Sequence, residues 1–242
     1  MIWPAVPRIL AAADSAVLVE FEGDRDEAGR HALTLAAGIA ERPVRGVVGT
    51  VPGLRSLLVE YDSRITAHRA VVAGVRRRLA GVAPTLRNRR WQIPVCTDRD
   101  MAPDLVTVAR HCDRSPDQVV TALISAALRV AIVGNLPGLP YLVGLPSELE
   151  VPRRADPRER VVAGSVALAA GMACIYPLDA PGGWNVVGRT PARLFDAGWT
   201  VPALLAPGDQ VSLAPIGAER FAELDAAARS GRWSPAPTWP QG

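Results

Sequence analysis

The segment GNLPGLPYLVGL, residues 134–145, is uncharged and contains three glycines and two prolines. Because proline lacks the backbone N–H that a helix requires, Pro137 and Pro140 exclude a helix through this segment. Glycine accepts positive φ and allows another backbone to approach closely, which is unusual in a regular strand. The composition therefore predicts a rigid apolar loop that packs against another part of the protein.

The residues on either side of this segment indicate a helix followed by a β-rich structure. Ser115, Pro116 and Gln118 occupy the N-cap, N1 and N3 positions of a capping box, so a helix is predicted to run to about Ser125. A strand is predicted at Leu128 to Val133. Short apolar runs then alternate with Gly and Pro at intervals of about ten residues, which is typical of a small closed β-structure.

The first part of the chain shows alternating strand and helix patterns. Apolar residues at helical spacing predict inward faces formed by Ala28, Ala32, Leu35, Ala36 and Ile39 in one helix, and by Ile65, Val72, Val75 and Leu79 in the other. The order β-α-β-β-α-β predicts a ferredoxin-like sandwich, in which one antiparallel sheet is covered by two helices. In chain order, the predicted elements are Val17–Phe21, Asp24–Ala40, Val44–Val51, Ser56–Tyr61, Arg64–Leu79 and Trp91–Cys96.

These patterns predict an α+β protein with a ferredoxin-like domain over residues 1–90 and a β-barrel domain over residues 91–217. Residues 218–242 are expected to form a C-terminal helix, within Gly217 to Gly231, and a loose tail from Arg232.

The charged residues exclude some functions. All 27 basic residues are arginine, and the formal net charge is only +3. The absence of lysine excludes a P-loop NTPase and a lysine Schiff base within this sequence. The arginines are scattered rather than arranged in a stripe, so no nucleic-acid partner is expected.

The apolar residues and cysteines favour a cytoplasmic protein. The longest apolar run, Val119 to Val133, contains polar residues and is too short to span a bilayer, so no membrane association is expected. Met1–Pro4 does not resemble the start of a secretion signal. The odd number of widely spaced cysteines is typical of free thiols in a reducing compartment. They are Cys96, Cys112 and Cys174.

The sequence contains no recognised catalytic motif. His31 and His68 fall on or near apolar helix faces without other ligands at metal-binding spacing, so no metal site is expected. Four glycine-bearing segments, at 134–138, 163–166, 181–184 and 188–191, remain. Their backbone amides could bind a carboxylate or an oxyanion, or the glycines could simply form the turns of a barrel.

Seven blocks of sequence together resemble the KipI/PxpB family. Its members include the B subunit of ATP-dependent 5-oxoprolinase, the first subunit of allophanate hydrolase, and subdomains C and D of the carboxyltransferase domain of urea carboxylases. The blocks run in order from about Asp14 to Ile216, and the PGGWNVVGRTP block is the most specific. They are DSAVLVEF, VPGLRSLLVEYD, IPVC with APDL, GNLPGLPYLVGLPSEL, VPRRADPRERVVAGSVAL, CIYPLDAPGGWNVVGRTPARLFD and PGDQVSLAPI.

The resemblance implies a ferredoxin-like domain followed by a cyclophilin-like β-barrel. It implies an enzyme subunit that cleaves a small cyclic or carbamoyl amide only together with a C-type (KipA/PxpC-like) partner protein. ATP would be used through the complex, by a third subunit. The substrate-binding residues implied are Tyr141, Ser165, Tyr176, Gly182, Gly183, Trp184, Arg189 and Thr190.

Among these residues, Arg189 is the expected cation, which would clamp a substrate carboxylate or a phosphorylated intermediate. A structural ion pair of Arg189 with Asp179 or Asp196 is the alternative. Ser165 and Thr190 are expected to hydrogen-bond the substrate, and no catalytic residue is assigned.

Several positions depart from the family pattern towards apolar residues. The usual histidine of the preceding helix is Leu123, and the usual glutamine and threonine are Met172 and Ala173. A polar substrate would lose a hydrogen bond at each such position. Either the substrate differs, or the chain is a catalytically inactive regulator similar to the KipI members that inhibit a histidine kinase.

Overall fold

The computed structural model describes residues 7–81 and 89–239. Residues 1–6, considered above for a secretion signal, lie outside this range. The chain divides into two compact units, residues 1–87 and 88–242. Within the described residues, no helix is both long enough and apolar enough to cross a membrane.

The first unit is a four-stranded antiparallel sheet with two helices on one face. The order of strands across the sheet is β1-β2-β4-β3. The elements in chain order are β1 (Arg8–Ala12), β2 (Ala16–Glu20), α1 (Arg25–Glu41), β3 (Val47–Pro52), β4 (Ser56–Tyr61) and α2 (His68–Leu79).

The strand order corrects the predicted order of elements. The strand next to β2 is β1, which precedes it in a tight hairpin through Ala13, a residue at φ 52°. The predicted strand from Trp91 belongs to the second unit instead. Arg8–Ala12 was missed because only Ile9 and Ala12 are partly buried, so the segment carries little strand pattern. The ferredoxin-like assignment of residues 1–90 is therefore not confirmed.

The core of this unit lies between the sheet and the helices. Val17, Val19, Leu57 and Val59 project from the two central strands and are completely buried. The Asp24 side chain accepts a hydrogen bond from the Glu27 N–H (2.8 Å) and so caps the start of α1. The helical residues that meet the strands are Ala28, Ala32, Leu35, Ile39, Val71 and Val75.

The second helix begins four residues later than predicted. The Asp62 carboxylate accepts hydrogen bonds from both the N–H and the side chain of Arg64, which closes a turn before the helix. Ile65, predicted to face inward, therefore lies in this turn and is 51% exposed.

The second unit contains a seven-stranded sheet, a two-stranded ribbon and three α-helices among its described residues. The elements are β5 (Arg90–Val95), α3 (Leu105–His111), α4 (Pro116–Ser125), β6 (Leu128–Val133), β7 (Pro140–Val143), β8 (Arg158–Val161), β9 (Ser165–Ala169), β10 (Met172–Ile175), β11 (Ala180–Gly182), β12 (Asn185–Arg189), β13 (Gln210–Pro215) and α5 (Ala218–Arg229).

The seven-stranded sheet curls into a nearly closed barrel, as predicted. Its order is β12-β9-β10-β7-β6-β13-β5, and its two edge strands approach each other. Cys96 and Arg189 exchange two backbone hydrogen bonds of 2.8 Å, which join these edges at one point. Apolar side chains from all seven strands fill the interior, together with residues of α3 and α4. Pairing of the edges satisfies backbone groups that would otherwise be left open.

The segment 134–145 forms a loop and then a central strand, which corrects the prediction of a loop throughout. Pro140 is the first residue of β7, where its missing N–H is tolerated, and Tyr141 to Val143 pair with β6 and β10. Gly144 has φ 98°, and a side chain there would overlap the carbonyl oxygen of Ala127. The apolar composition of this strand reflects its position between two neighbours in the sheet.

One local prediction in this unit is confirmed and another is corrected. The capping box at Ser115 and Gln118 is present as predicted, with both reciprocal hydrogen bonds. The tail after α5 is not loose throughout. Thr238 exchanges two backbone hydrogen bonds of 2.8 Å with Arg90, and Trp233 packs against the barrel core.

Candidate functional site

An aromatic cluster lies on the outer face of the barrel. The rings of Tyr141, in β7, and Trp184, immediately before β12, meet edge to face with centroids 5.4 Å apart. Cys174 pairs with both Tyr141 and Ala167, and directly paired residues share a sheet face. These three side chains therefore point away from the interior, and Trp184 covers them from the edge of the sheet.

The loop at 152–157 supports the tryptophan. The Asn185 amide donates to the carbonyl oxygens of Pro152 (2.8 Å) and Leu168 (3.2 Å), which fixes the chain next to Trp184. The Arg154 N–H donates to the carbonyl oxygen of Gly183 (2.7 Å). The two loops are thus held together by backbone contacts, and Trp184 is only 5% exposed.

Tyr176 joins the cluster from the end of β10. A Cβ at Gly182 would overlap the Tyr176 hydroxyl and lie 2.8 Å from its Cζ, so only glycine fits there. At Gly183 the nearest atoms to such a Cβ belong to Pro157, at 3.5 Å and beyond, which is ordinary contact. The first glycine of the pair is therefore required by packing against the tyrosine, whereas the second is not.

Arg153 supplies the positive charge of this cluster. Its guanidinium lies 5.9 Å from the Trp184 ring centroid, the geometry of a cation–π contact. Among the described residues, no ion pair includes Arg153. The sequence prediction passed over this residue, although it lies in the VPRRADPRERVV block that carried part of the family resemblance.

The buried titratable groups of the cluster are held in their neutral forms. Burial, together with the neighbouring Cys174 and Tyr141, raises the pKa of Tyr176 to about 12. Burial also raises the pKa of Tyr141 and that of the Cys174 thiol, against the opposing charge of Arg153. At neutral pH the two phenols are thus hydrogen-bond donors, and Cys174 is not a thiolate nucleophile.

Asp104 anchors the loop at 152–157, which we call the arginine loop, to the barrel. Its carboxylate accepts hydrogen bonds from Arg154 (2.8 Å), from both terminal nitrogens of Arg158 (2.7 and 2.8 Å) and from the Val186 N–H (2.7 Å). Burial alone would raise the pKa of Asp104, but the hydrogen bonds from Arg158 and Val186 and the two cations hold it below its ordinary value. Asp104 is therefore a charged structural hub rather than a general base.

Arg189 lies at the opposite end of β12 from Trp184. Five residues of extended strand separate them, which corresponds to about 16 Å. The Arg189 Nε donates to the carbonyl oxygen of Ala163 (3.0 Å), and its guanidinium lies 5.5 Å from the Phe221 ring centroid. Arg189 does not form the alternative ion pair with Asp179 or Asp196. Asp179 pairs with Arg160, and Asp196 pairs with Arg193.

Ser165 and Thr190 lie near Arg189 and are buried, at 4% and 2% exposure. Ser165 pairs with Arg189 across β9 and β12, and the Thr190 hydroxyl accepts a hydrogen bond from the Ala192 N–H (3.1 Å). The structure thus brings together Tyr141, Tyr176, Gly182, Gly183 and Trp184. It places Arg189 and Thr190 at the point where the barrel closes.

The residues that depart from the family pattern differ in their location. Leu123 and Ala173 belong to the interior core, at 1% and 0% exposure, and Met172 is also buried.

His31 is buried against Phe21 in the first unit, with ring centroids 5.8 Å apart. Within the described residues, no group of three His, Cys, Asp or Glu side chains is placed to hold a metal ion.

Comparisons with known proteins agree on one family. Residues 7–205 match the model of the carboxyltransferase domain, subdomain C and D. A relative from Bacillus subtilis, named as the B subunit of 5-oxoprolinase, is 34% identical over 216 residues, which cover 84% of this chain and 90% of the relative.

Solved structures show the same architecture within longer chains. The crystal structure of TTHA0988 is 34% identical, with a TM-score of 0.73; the match covers 83% of this chain and 40% of that chain. The urea carboxylase of Kluyveromyces lactis matches 96% of this chain and 24% of its own, with a TM-score of 0.75. At 20% identity, the latter match shows a shared fold alone.

Proposed function

We propose that this chain, which belongs to the carboxyltransferase domain, subdomain C and D, family, is the B-type subunit of an ATP-dependent amide hydrolase. The substrate class is a small cyclic or carbamoyl amide, as in 5-oxoprolinase or allophanate hydrolase. The name of the Bacillus subtilis relative supports the first of these. The main support for this proposal is the aromatic cluster of Tyr141, Tyr176 and Trp184, with Arg153 over the indole.

This cluster is suited to binding an amide. The partly exposed Tyr141 phenol can donate a hydrogen bond to the carbonyl oxygen of a planar amide or lactam, while the buried Trp184 ring holds Tyr141 and Arg153 in place. Arg153 can pair with a carboxylate of the same ligand, since a guanidinium binds carboxylates with two parallel hydrogen bonds. The cluster therefore offers binding and orientation to a small polar molecule.

No side chain of the cluster, as the described residues form it, is an available proton acceptor, although His111 lines a neighbouring pocket together with Arg153. Among the described residues near it, Asp104 is the carboxylate that the arginine loop engages, and two guanidinium groups and a backbone N–H occupy its oxygens. Cys174 is protonated and buried. These observations support a subunit that depends on a partner for the catalytic base.

The proposed partners are a C-type protein, which completes the site, and a third subunit that uses ATP. The relative's designation as one subunit of an enzyme supports an assembly of this kind. Because the sequence has no lysine, a P-loop for ATP would have to be contributed by another chain.

The alternative of an inactive regulator rested on replaced polar residues. Leu123 and Ala173 lie in the interior core, so their apolar character is compatible with an intact site on the outer face. Met172 lies two residues before Cys174 in β10 and therefore shares the face of the cluster. The location of two of the three replacements thus favours the hydrolase subunit, whereas Met172 favours the regulator.

The test is reconstitution. The chain is co-expressed with its C-type and ATP-using partners, and 5-oxoproline-dependent ATP hydrolysis is measured beside allophanate hydrolysis. The Arg153→Gln variant should lower turnover while the complex stays assembled. Arg110→Gln, at an exposed arginine of α3 outside the cluster, serves as the matched control. An intact wild-type complex without turnover on either substrate would reject the proposal and favour the regulator.

A further inference from the structure

A cavity of about 250 Å³ lies beside the arginine loop in the second unit. Thr107 and His111 of α3 form part of one wall, Arg153 and Arg154 form another, and Asn185 contributes from the start of β12. This volume is below that of pockets for drug-sized ligands, which begin at about 300 Å³. The cavity is open to solvent at Thr107, His111 and Arg153, so it can admit a small anion or one group of a larger molecule.

The charged side chains that line this cavity are both cations. They are Arg153 and Arg154, and among the described residues no carboxylate contributes to the lining. The carboxylate of Asp104 is 3% exposed and is shared between Arg154 and Arg158. The Asp104 carboxylate thus balances only one of the two positive charges of Arg154 and Arg158. Arg153 adds a third positive charge and has no ion-pair partner in the described part of the chain.

Two of the lining side chains are fixed before any ligand arrives. The Arg154 side chain donates to Asp104 (2.8 Å) and to the carbonyl oxygen of Asp156 (3.3 Å). The Asn185 amide is held by two carbonyl oxygens, one of them from Pro152. The exposed side chains of Thr107, His111 and Arg153 stand beside this ordered wall, where a ligand can reach them.

We propose that this cavity binds a small oxyanion, either a phosphate or a carboxylate group, with Arg153 as its principal ligand and His111 and Thr107 as further donors. Both groups offer oxygen acceptors to a guanidinium and fit a cavity of this size. The site shares Arg153 with the aromatic cluster, so a carboxylate bound here can belong to the substrate of the proposed function, while binding of a free oxyanion is tested without turnover.

The experiment measures binding to the isolated full-length chain by isothermal titration calorimetry at constant ionic strength and pH. Inorganic phosphate and acetate are the two probes, and the tighter one identifies the source of the oxyanion. We expect saturable binding of at least one probe, weakened at least tenfold in Arg153→Gln and measurably in His111→Gln. Arg110→Gln removes one charge from the same helix outside the cavity and should bind as the wild type does.

Circular dichroism of each variant verifies that the fold is retained. Absence of saturable binding of both probes would overturn the inference, as would equal losses in Arg153→Gln and Arg110→Gln, which would indicate general screening of charge. Because no turnover is measured, failure of the hydrolase proposal would leave this result unaffected.

Discussion

The guanidinium of Arg153 lies over the indole of Trp184, 5.9 Å from its ring centroid, in a loop that precedes the tryptophan by some thirty residues. This contact, rather than one made by Arg189, brings a positive charge to the aromatic cluster. Arg189 instead contacts Phe221 and the carbonyl oxygen of Ala163. The two arginines therefore have different expected effects when each is replaced.

Arg153→Gln should lower kcat/KM of the reconstituted complex by about 10- to 100-fold, the loss expected for a hydrogen bond to a charged group. Its free energy of unfolding should hardly change, because Arg153 is exposed. Arg189→Gln should leave kcat/KM nearly unchanged. It should lower the free energy of unfolding by about 1–2 kcal/mol, because a hydrogen bond and a cation–π contact are lost. Steady-state kinetics and urea unfolding of both variants check this, and a kinetic loss confined to Arg189→Gln would contradict it.

Gly182→Ala should destabilise the second unit by about 1–3 kcal/mol, because the added methyl group would overlap the Tyr176 hydroxyl. Gly183→Ala is the matched control, since its methyl group would meet Pro157 only at ordinary contact distance. Thermal unfolding of the two variants provides the measurement. Equal melting temperatures would show that Tyr176 does not pack against Gly182.

Asp104→Asn should destabilise the chain by about 3–5 kcal/mol at neutral pH, because two partly buried guanidinium groups lose their shared carboxylate. The pKa of Asp104 is lowered in the folded state, so its stabilising contribution is present above the ordinary aspartate pKa of 3.8 and is lost as pH falls through the folded value. The difference in unfolding free energy between wild type and variant should therefore shrink below about pH 4.

Urea unfolding at a series of pH values measures that difference. Asp179→Asn is a suitable comparison, since the pKa of this exposed carboxyl is also lowered, by the Ala163 N–H and by Arg160. A difference for Asp104→Asn that stays constant from pH 7 to acid would contradict the assigned hydrogen bonds.

Cys112 should react with iodoacetamide before Cys174 in the native protein at about pH 8. Burial raises the pKa of both thiols against an opposing arginine charge, from Arg114 at Cys112 and from Arg153 at Cys174. The rise is largest at Cys174, so less thiolate is present there. Cys174 is also only 1% exposed, whereas Cys112 is partly exposed. Peptide mass spectrometry after timed labelling gives the order, and labelling in urea controls for intrinsic reactivity. Equal native rates would contradict the buried position of Cys174.

Local elements of the second unit were predictable from the sequence because neighbouring residues determine them. The capping box at Ser115 and Gln118 depends on residues three positions apart, and the strand at Leu128–Val133 on a continuous apolar run. Pro140 misled the prediction because its missing N–H is harmless at the first residue of a strand. The hairpin strand Arg8–Ala12 was missed because most of its residues are solvated.

By itself, the sequence determined the family, the barrel-like second half and the aromatic side chains of the cluster, since these follow from residue types in a fixed order. Only the tertiary structure decided which arginine joins that cluster. Arg189 is five residues from Trp184 in the sequence but at the far end of an extended strand, whereas Arg153 is distant in sequence and near in space. An extended strand separates its own residues by about 3.3 Å each, while loop packing brings remote residues into contact.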